Sequence, residues 1–370
     1  MVNRRTFMKA VGAGTAVLAA APNAGAGQTQ IKVGVITNAE GAHLDLYFAA
    51  LAETPEAASV VLADPSGKAV SEARKRLGKR LTATYDSYEA MLDREQPVLT
   101  LVSLEARLAP PAIEAALNAG CHVLAEKPAC VRIDDFARLT ALAERQQRHL
   151  MLALANRLNP EVQAARRLIQ EGKIGRIYGL EMHLVADQAR LVQPAYRASW
   201  YAHKERAGGG HLIWLGIHWI DLAMFLTSAP ITEVCALCAN VGGQPLDVED
   251  SAAVTFRFDN GTLGTLTSGY YLDKGYHSHL KIWGARGWLQ LEKHGGTPLA
   301  WYSQDDPKPE VHRLENIKGP SGYSPWVRAC VRAAAGAEQP PLTSQESLRA
   351  LETVFAAYRS AETGQRQTLR

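Results

Sequence analysis

Ile31-Lys-Val-Gly-Val-Ile36, then Thr37-Asn-Ala-Glu-Gly-Ala42, then the helical pattern from Leu44 to Ala52 decide the fold. A short apolar strand passes through a tight turn into a helix, the first unit of a strand–helix–strand layer. The pattern repeats downstream. Ser59-Val-Val-Leu-Ala63 reads as a strand ending at Asp64, and Lys68 to Leu77 and Tyr88 to Leu92 read as helices. Val98 to Val102, His122 to Ala125 and His149 to Ala153 read as strands, with helices at Pro111 to Ala119 and Asp134 to Gln147 between them. Continuous apolar strands separated by helices indicate a parallel sheet covered on both faces. Residues 31–152 therefore read as a doubly wound nucleotide-binding domain of the Rossmann type within an α/β chain.

Beyond residue 153 the texture changes. Pro160 to Glu171 is helical, and Gly172-Lys-Ile-Gly175 leads into a strand from Ile177 to Val185. A second helix runs from His211 to Leu226. Alternating strands follow at Ser251 to Phe258, Gly264 to Tyr271, His279 to Trp283 and Gly287 to Glu292, with a hairpin signal at Asp259-Asn260-Gly261. Ser344 to Ala361 is a closing helix. Residues 153–370 read as an α+β domain with a large, open, mainly antiparallel sheet, serving substrate binding and oligomerisation.

Composition agrees with two globular domains. Of 370 residues 47% are hydrophobic and 21% charged, which excludes disordered and fibrous classes. The formal charge of +3 resides in Arg4, Arg5 and Lys9, and residues 1–26 contain no acid, so the remainder is neutral. Nothing calls for a nucleic-acid partner or an anionic membrane. Asn3-Arg4-Arg5-Thr6-Phe7-Met8-Lys9, a weakly apolar stretch from Ala10 to Ala21, and Ala24-Gly25-Ala26 read as a twin-arginine export signal. That route carries folded proteins, which suits an enzyme loaded with cofactor before it reaches the periplasm. Cys121, Cys130, Cys235, Cys238 and Cys330 show neither a disulfide nor a metal framework and read as buried small hydrophobes.

The first turn lacks the usual G-x-G-x-x-G, its three glycine places being Thr37, Ala39 and Ala42, although Ala39 and Ala42 are small and Gly41 relieves the turn. Asp64 is placed to take the adenosine ribose hydroxyls and favour NAD. Ser66 and Lys68 leave NADP open, and a helix cap is the plain alternative for Asp64. The sharper feature is Ala125-Glu126-Lys127-Pro128 at the end of a sheet strand. Together with Asn156-Arg157, Pro160, Gly172-Lys-Ile-Gly175-Arg176-Ile177 and Gly208-Gly209-Gly210, it resembles the glucose–fructose oxidoreductase, inositol dehydrogenase and MocA family over about Ile31 to Glu292. The resemblance implies an NAD(P)-dependent oxidoreductase in which Lys127 lies beside the nicotinamide ribose and the substrate hydroxyl, with Pro128 commonly cis. It places Thr37, Asn38, Ala39, Asp64, Ser103, Glu126, Lys127, Pro128 and Asn156 at the cofactor, and no metal. Burial at the carboxyl end of the sheet would lower the Lys127 pKa.

Leu212 to Leu226 is almost wholly apolar, so its polar residues are informative. His211, Trp214, His218 and Asp221 fall within about 80° of one another at ~100° per residue, a single stripe that reads as a site wall. The plain alternative is a pair of satisfied core histidines. In the family this helix carries Asp, His four residues later, and Asp three after that. His218 and Asp221 match the last two; Trp214 replaces the first Asp, offering a stacking face but no proton transfer. The family's Thr-Pro-Asn-x-x-His is also altered, to Ser103-Leu-Glu-Ala-Arg-Leu108. Tyr196, Arg197, Trp200, Tyr201, His203 and Lys204 have the composition of a carbohydrate-binding loop, or of a solvated surface.

The expectation is a periplasmic enzyme that moves a hydride at a carbinol carbon of a sugar or polyol. His218 takes the hydroxyl proton, Lys127 holds the oxygen, and Trp214, Asp221, Arg157, Tyr201 and His211 bind substrate. A homo-oligomer, dimer or tetramer, is expected. Two other classes stay open: a lyase or glycosidase using tightly bound NAD for transient oxidation, and a sugar-binding protein without cofactor.

Overall fold

The apolar runs of the first half become strands because they are short, rich in β-branched residues and bounded by turns. In the computed structural model, which describes residues 29–294 and 296–369, six parallel strands form one sheet. They are β1 (Ile31–Thr37), β2 (Ala57–Ala63), β3 (Leu81–Tyr85), β4 (Leu99–Ser103), β5 (His122–Ala125) and β6 (Leu150–Leu152), in the order β3-β2-β1-β4-β5-β6. Helices α1 (Leu44–Glu53), α2 (Val70–Leu77), α3 (Tyr88–Glu95), α4 (Ala109–Asn118) and α5 (Ile133–Arg145) connect them. The strand order reverses between β1 and β4, and such a switch point opens a crevice outside the carboxyl ends of the strands. β3 has no continuous apolar run to announce it, because its side chains stand half-exposed at the sheet edge. The export signal read at residues 1–26 lies outside the described residues.

The second half comprises α6 (Pro160–Gln170), α7 (Pro194–Ala198), α8 (Lys204–Ala207) and α9 (Ile217–Thr227), with a nine-stranded sheet. Its strands are β7 (Ile177–Asp187), β8 (Ile231–Ala239), β9 (Ser251–Phe258), β10 (Leu263–Leu272), β11 (Tyr276–Gly284), β12 (Gly287–His294), β13 (Leu299–Ser303), β14 (His312–Leu314) and β15 (Gln367–Thr368). They run in the order β14-β13-β12-β11-β7-β10-β9-β8-β15, all antiparallel except the β7–β10 pair. The Asp259-Asn260-Gly261 turn joins β9 to β10 as an antiparallel pair.

Two C-terminal helices return to the first sheet. α10 (Tyr323–Ala334) packs on α1, and α11 (Ser344–Thr363) packs on α5, β6 and β8. A bare edge strand leaves backbone donors unpaired. At β6 the hydroxyls of Ser344 and Ser347 accept from the Leu150 and Leu152 N–H groups at 3.0 and 3.2 Å. A reciprocal capping box, Thr343 with Glu346, starts α11 at that place. One hydrophobic core spans both sheets.

Of the five cysteines, Cys121, Cys130 and Cys330 are buried, but Cys235 is exposed and Cys238 half-buried. β8 alternates, so the apolar stretch that contains both cysteines has a solvent face as well as a core face.

Candidate active site

The end of β5 delivers Glu126 and Lys127 to the crevice at the switch point, and the Lys127–Pro128 peptide is cis. The Lys127 side chain is fully buried, with Nζ 2.9 Å from the centroid of the Trp214 ring. Nζ also donates to the Trp214 carbonyl at 2.7 Å and lies 3.9 Å from Glu126 Oε1. Burial lowers its pKa to about 7, against the pull of the Glu126 charge. An amine in that range can both take and give a proton near neutrality.

Glu126 is buried and accepts from the Tyr47 hydroxyl, while His43 Nδ1 lies 3.2 Å from its Oε1. His43 precedes α1 in a left-handed conformation, with φ 57°. Its ring stacks on Trp214, with centroids 5.7 Å apart and planes 10° apart, and its Nδ1 is 2.9 Å from the Tyr323 hydroxyl. Tyr201 meets Trp214 at 4.5 Å and Trp200 meets it edge-on at 5.3 Å. Burial pushes the Tyr201 hydroxyl well above its usual value. Lys127, Trp214 and Tyr201 are thus brought together. His43, Tyr47 and Tyr323 join them, although no sequence motif marks those three.

Trp214 reaches Lys127 because Leu212–Gly216 form a π-helical turn ahead of α9. Each π turn holds an extra residue, which rotates everything downstream by about 100° relative to a straight α-helix. The predicted single stripe is therefore split, and three of its members face different partners. His211 Nδ1 pairs with Ser268 Oγ at 2.6 Å, its ring meets Tyr270 edge-on, and burial lowers its pKa to about 3. It is a neutral group packed between the helix and β10. Asp221 is engaged by Arg157, whose Nε and Nη2 reach the two carboxylate oxygens at 2.9 and 2.7 Å, while Nη1 takes Glu346 at 2.6 Å. Burial pushes the Asp221 carboxyl up, and the forked guanidinium pulls it back. Arg157 and Asp221 thus lock the turn after β6, α9 and α11 together. His218 stands half-buried in the first turn of α9.

The helix start is fixed by a residue the sequence did not signal. Glu249 accepts from the Gly210 and Leu212 N–H groups at 2.6 and 2.9 Å and from the Tyr358 hydroxyl at 2.8 Å. A Cβ on Gly210 would lie 1.9 Å from the Glu249 carbonyl, so glycine there admits the Glu249 backbone.

The cofactor loop departs from its expected use. Thr37 donates to the Ser103 carbonyl at 2.9 Å, and Ser103 donates to the Ala42 carbonyl at 2.8 Å. Both hydroxyls lace the loop to β4 and are spent on backbone. A Cβ on Gly41 would lie 2.0 Å from Thr37 Oγ1, so Gly41 compensates for the threonine that replaces a glycine. Asn38 accepts from the Glu40 N–H at 2.9 Å and Ala39 is exposed at the rim. Asp64 accepts from Ser66 and from the Ala69 N–H at 2.8 Å, capping its own turn, which is the plainer of the two roles foreseen. Asn156 accepts from Asn159 at 3.3 Å in the turn after β6. The loop is also clasped from the other half: Trp200 Nε1 donates to the Glu40 carbonyl at 3.2 Å, and Arg206 bridges Glu40 and Glu105.

These residues fit a dinucleotide. Among the described residues no side chain caps the first turn of α1, which leaves its N–H groups as donors that a pyrophosphate could take.

The fold and the crevice together define a nucleotide-dependent oxidoreductase, and comparison with known proteins names the group. Residues 31–154 match the oxidoreductase family model described as an NAD-binding Rossmann fold, and residues 162–290 match the GFO/IDH/MocA C-terminal domain. The chain belongs to the Gfo/Idh/MocA family, an NAD-dependent oxidoreductase family. It is 24% identical over 305 residues to D-glucoside 3-dehydrogenase of Escherichia coli (strain K12), covering 78% of this chain and 84% of that one. It is 26% identical over 324 residues to 1,5-anhydro-D-fructose reductase of Ensifer adhaerens, covering 81% and 83%. The fold superposes on WlbA dehydrogenase from Bordetella pertussis, a complex with NADH and UDP-GlcNAcA, with a TM-score of 0.77 at 20% identity, covering 92% and 98%.

Proposed function

We propose that the protein is an exported NAD-dependent oxidoreductase acting at a carbinol carbon of a sugar, polyol or related carbohydrate. The observation that carries this reading is Lys127: a fully buried amine with its pKa brought to about 7, at the carboxyl end of the parallel sheet and under an aromatic wall. The sugar dehydrogenase and sugar reductase relatives support the substrate class. NAD supplies the hydride acceptor. Lys127 binds the carbinol oxygen and exchanges its proton, and His218 serves as the second acid–base group from α9. The α1 N-terminus, Asn38, Ala39, Glu126, Pro128 and Asn156 line the cofactor side. NAD is preferred to NADP because the negative charge of Asp64, although its oxygens cap their own turn, repels a 2′-phosphate there.

The Trp214 indole covers the face of Lys127 that a carbinol must approach, so substrate binding rotates that side chain and sets a pyranose against it and Tyr201. The paired arginines Arg4 and Arg5 direct export to the periplasm. The exposed Leu237, Leu263 and Trp283 on the second sheet support a homo-oligomer. The test is steady-state oxidation of a sugar and polyol panel with NAD. Lys127→Met and His218→Ala should each lower kcat by about two to four orders of magnitude with cofactor affinity kept. Near-normal turnover in Lys127→Met refutes the assignment.

A further inference from the structure

Oxidising a carbinol liberates one proton for each hydride that leaves, and on the reading above Lys127 receives it. The amine has a side-chain exposure of 1%, and a sugar that displaces the Trp214 ring takes the face this ring covers, so solvent cannot collect that proton directly. A group that takes a proton once per turnover must also lose it once per turnover.

The groups around Lys127 leave one way out, through the neighbouring carboxylate. From its own strand comes Glu126, 3.9 Å away; from α1 come His43 and Tyr47; from α10, Tyr323; from the segment before α8, Tyr201; and from the helix of Trp214, His211. Tyr47 is buried and Tyr201 and Tyr323 are partly buried; all three hold their protons more tightly than ordinary phenols, and His211 stays neutral, so none of these relays protons near neutrality. Glu126 is also buried. His43 alone among the two remaining groups touches water, with a side-chain exposure of 31%, and its Nδ1 lies 3.2 Å from the Glu126 carboxylate.

We propose that Glu126 and His43 form the proton exit of the active site, carrying the substrate's hydroxyl proton from Lys127 to solvent. The proton passes from the ammonium to the Glu126 carboxylate, then to His43, and leaves from the imidazole to water; the amine is restored as each proton departs. The hydride travels separately to NAD, so charge balances. Tyr47 and Tyr323 position the carboxylate and the ring. The same path run backwards supplies the proton when a ketone is reduced. The inference rests on the proposed function and names His43 as the residue that hands the proton to water.

His43→Gly tests it, because glycine accepts the φ of 57° and leaves a space the size of imidazole. The expected result is a fall in kcat of about tenfold to a hundredfold, with substrate KM and NAD affinity within about twofold, and recovery of rate with added imidazole. An unchanged kcat, or a loss that imidazole does not repair, overturns the proposal while leaving the oxidoreductase reading intact. A second readout needs no turnover. In the free protein, the 15N resonance of His43 Nδ1 should shift in Glu126→Gln, and a resonance indifferent to that change overturns the relay whichever substrate the enzyme takes.

Discussion

Replacing Lys127 by methionine should stabilise the protein, and by an amount that depends on pH. The amine is fully buried and its pKa falls from 10.5 to about 7 because burial penalises the charged form. At ~1.36 kcal/mol per pH unit, that displacement corresponds to about 5 kcal/mol of folding free energy. The sign follows from proton counts. Between the two pKa values the unfolded chain holds a proton that the folded chain has released, so wild-type stability rises with pH across that window. Below it both states are protonated and the full cost is carried; above it neither is, and the cost vanishes. Methionine keeps the length and apolar contact with Trp214 without an ionisable group. Urea unfolding should therefore show Lys127→Met more stable than wild type by about 5 kcal/mol near pH ~6.5, and by only about 1 kcal/mol near pH ~9.5. A difference that is the same at both pH values would refute the claim that burial sets the lysine's pKa.

Three further outcomes follow from named contacts. Asp221→Asn removes the buried carboxylate that two Arg157 nitrogens engage and leaves Glu346 alone to balance the guanidinium, so it should cost about 3 kcal/mol in denaturant unfolding; a cost near zero would mean the pair does not lock the helices. Asp64→Ala removes the acceptor that caps the β2–α2 turn, so it should lower stability by about 1 kcal/mol and narrow the preference for NAD over NADP in calorimetry. If NADP binds the wild type better, Ser66 and Lys68 govern the choice. Changing Arg4 and Arg5 together to Lys should retain the protein in the cytoplasm by cell fractionation, and unchanged export would remove the twin-arginine assignment.

The architecture was legible because its signals are local. Apolar runs at 31–36, 59–63, 98–102 and 122–125 alternate with helices, and such a pattern has few packing solutions. β3 escaped because an edge strand needs no apolar run, and α10 because its apolar positions serve the first sheet from far along the chain. At the site, Glu126-Lys127-Pro128 was legible as a motif and burial lowered the lysine's pKa as expected. The stripe on the apolar helix was misjudged for a geometric reason: helical phase assumes a uniform turn, and the π turn at Leu212–Gly216 breaks it. Arg157 pairs with Asp221 and His211 with Ser268, and partners of that kind lie too far apart in sequence to be paired by spacing. His43, Tyr323 and Glu249 carried no motif. Their places depend on three separate segments meeting, which only the fold reveals.

The central claim is that hydride chemistry at a carbinol carbon depends on Lys127, and hydride exchange tests it most directly. Wild type and Lys127→Met would each be given NADH deuterated at its reactive carbon together with a panel of keto-sugars, and the sugars read by mass spectrometry. The account predicts deuterium at one carbinol carbon of at least one sugar with the wild type, and a labelling rate lower by about two orders of magnitude or more with Lys127→Met, although both bind NADH in calorimetry. Equal deuterium from the two proteins, or a wild type that binds NADH and labels no sugar, would contradict it.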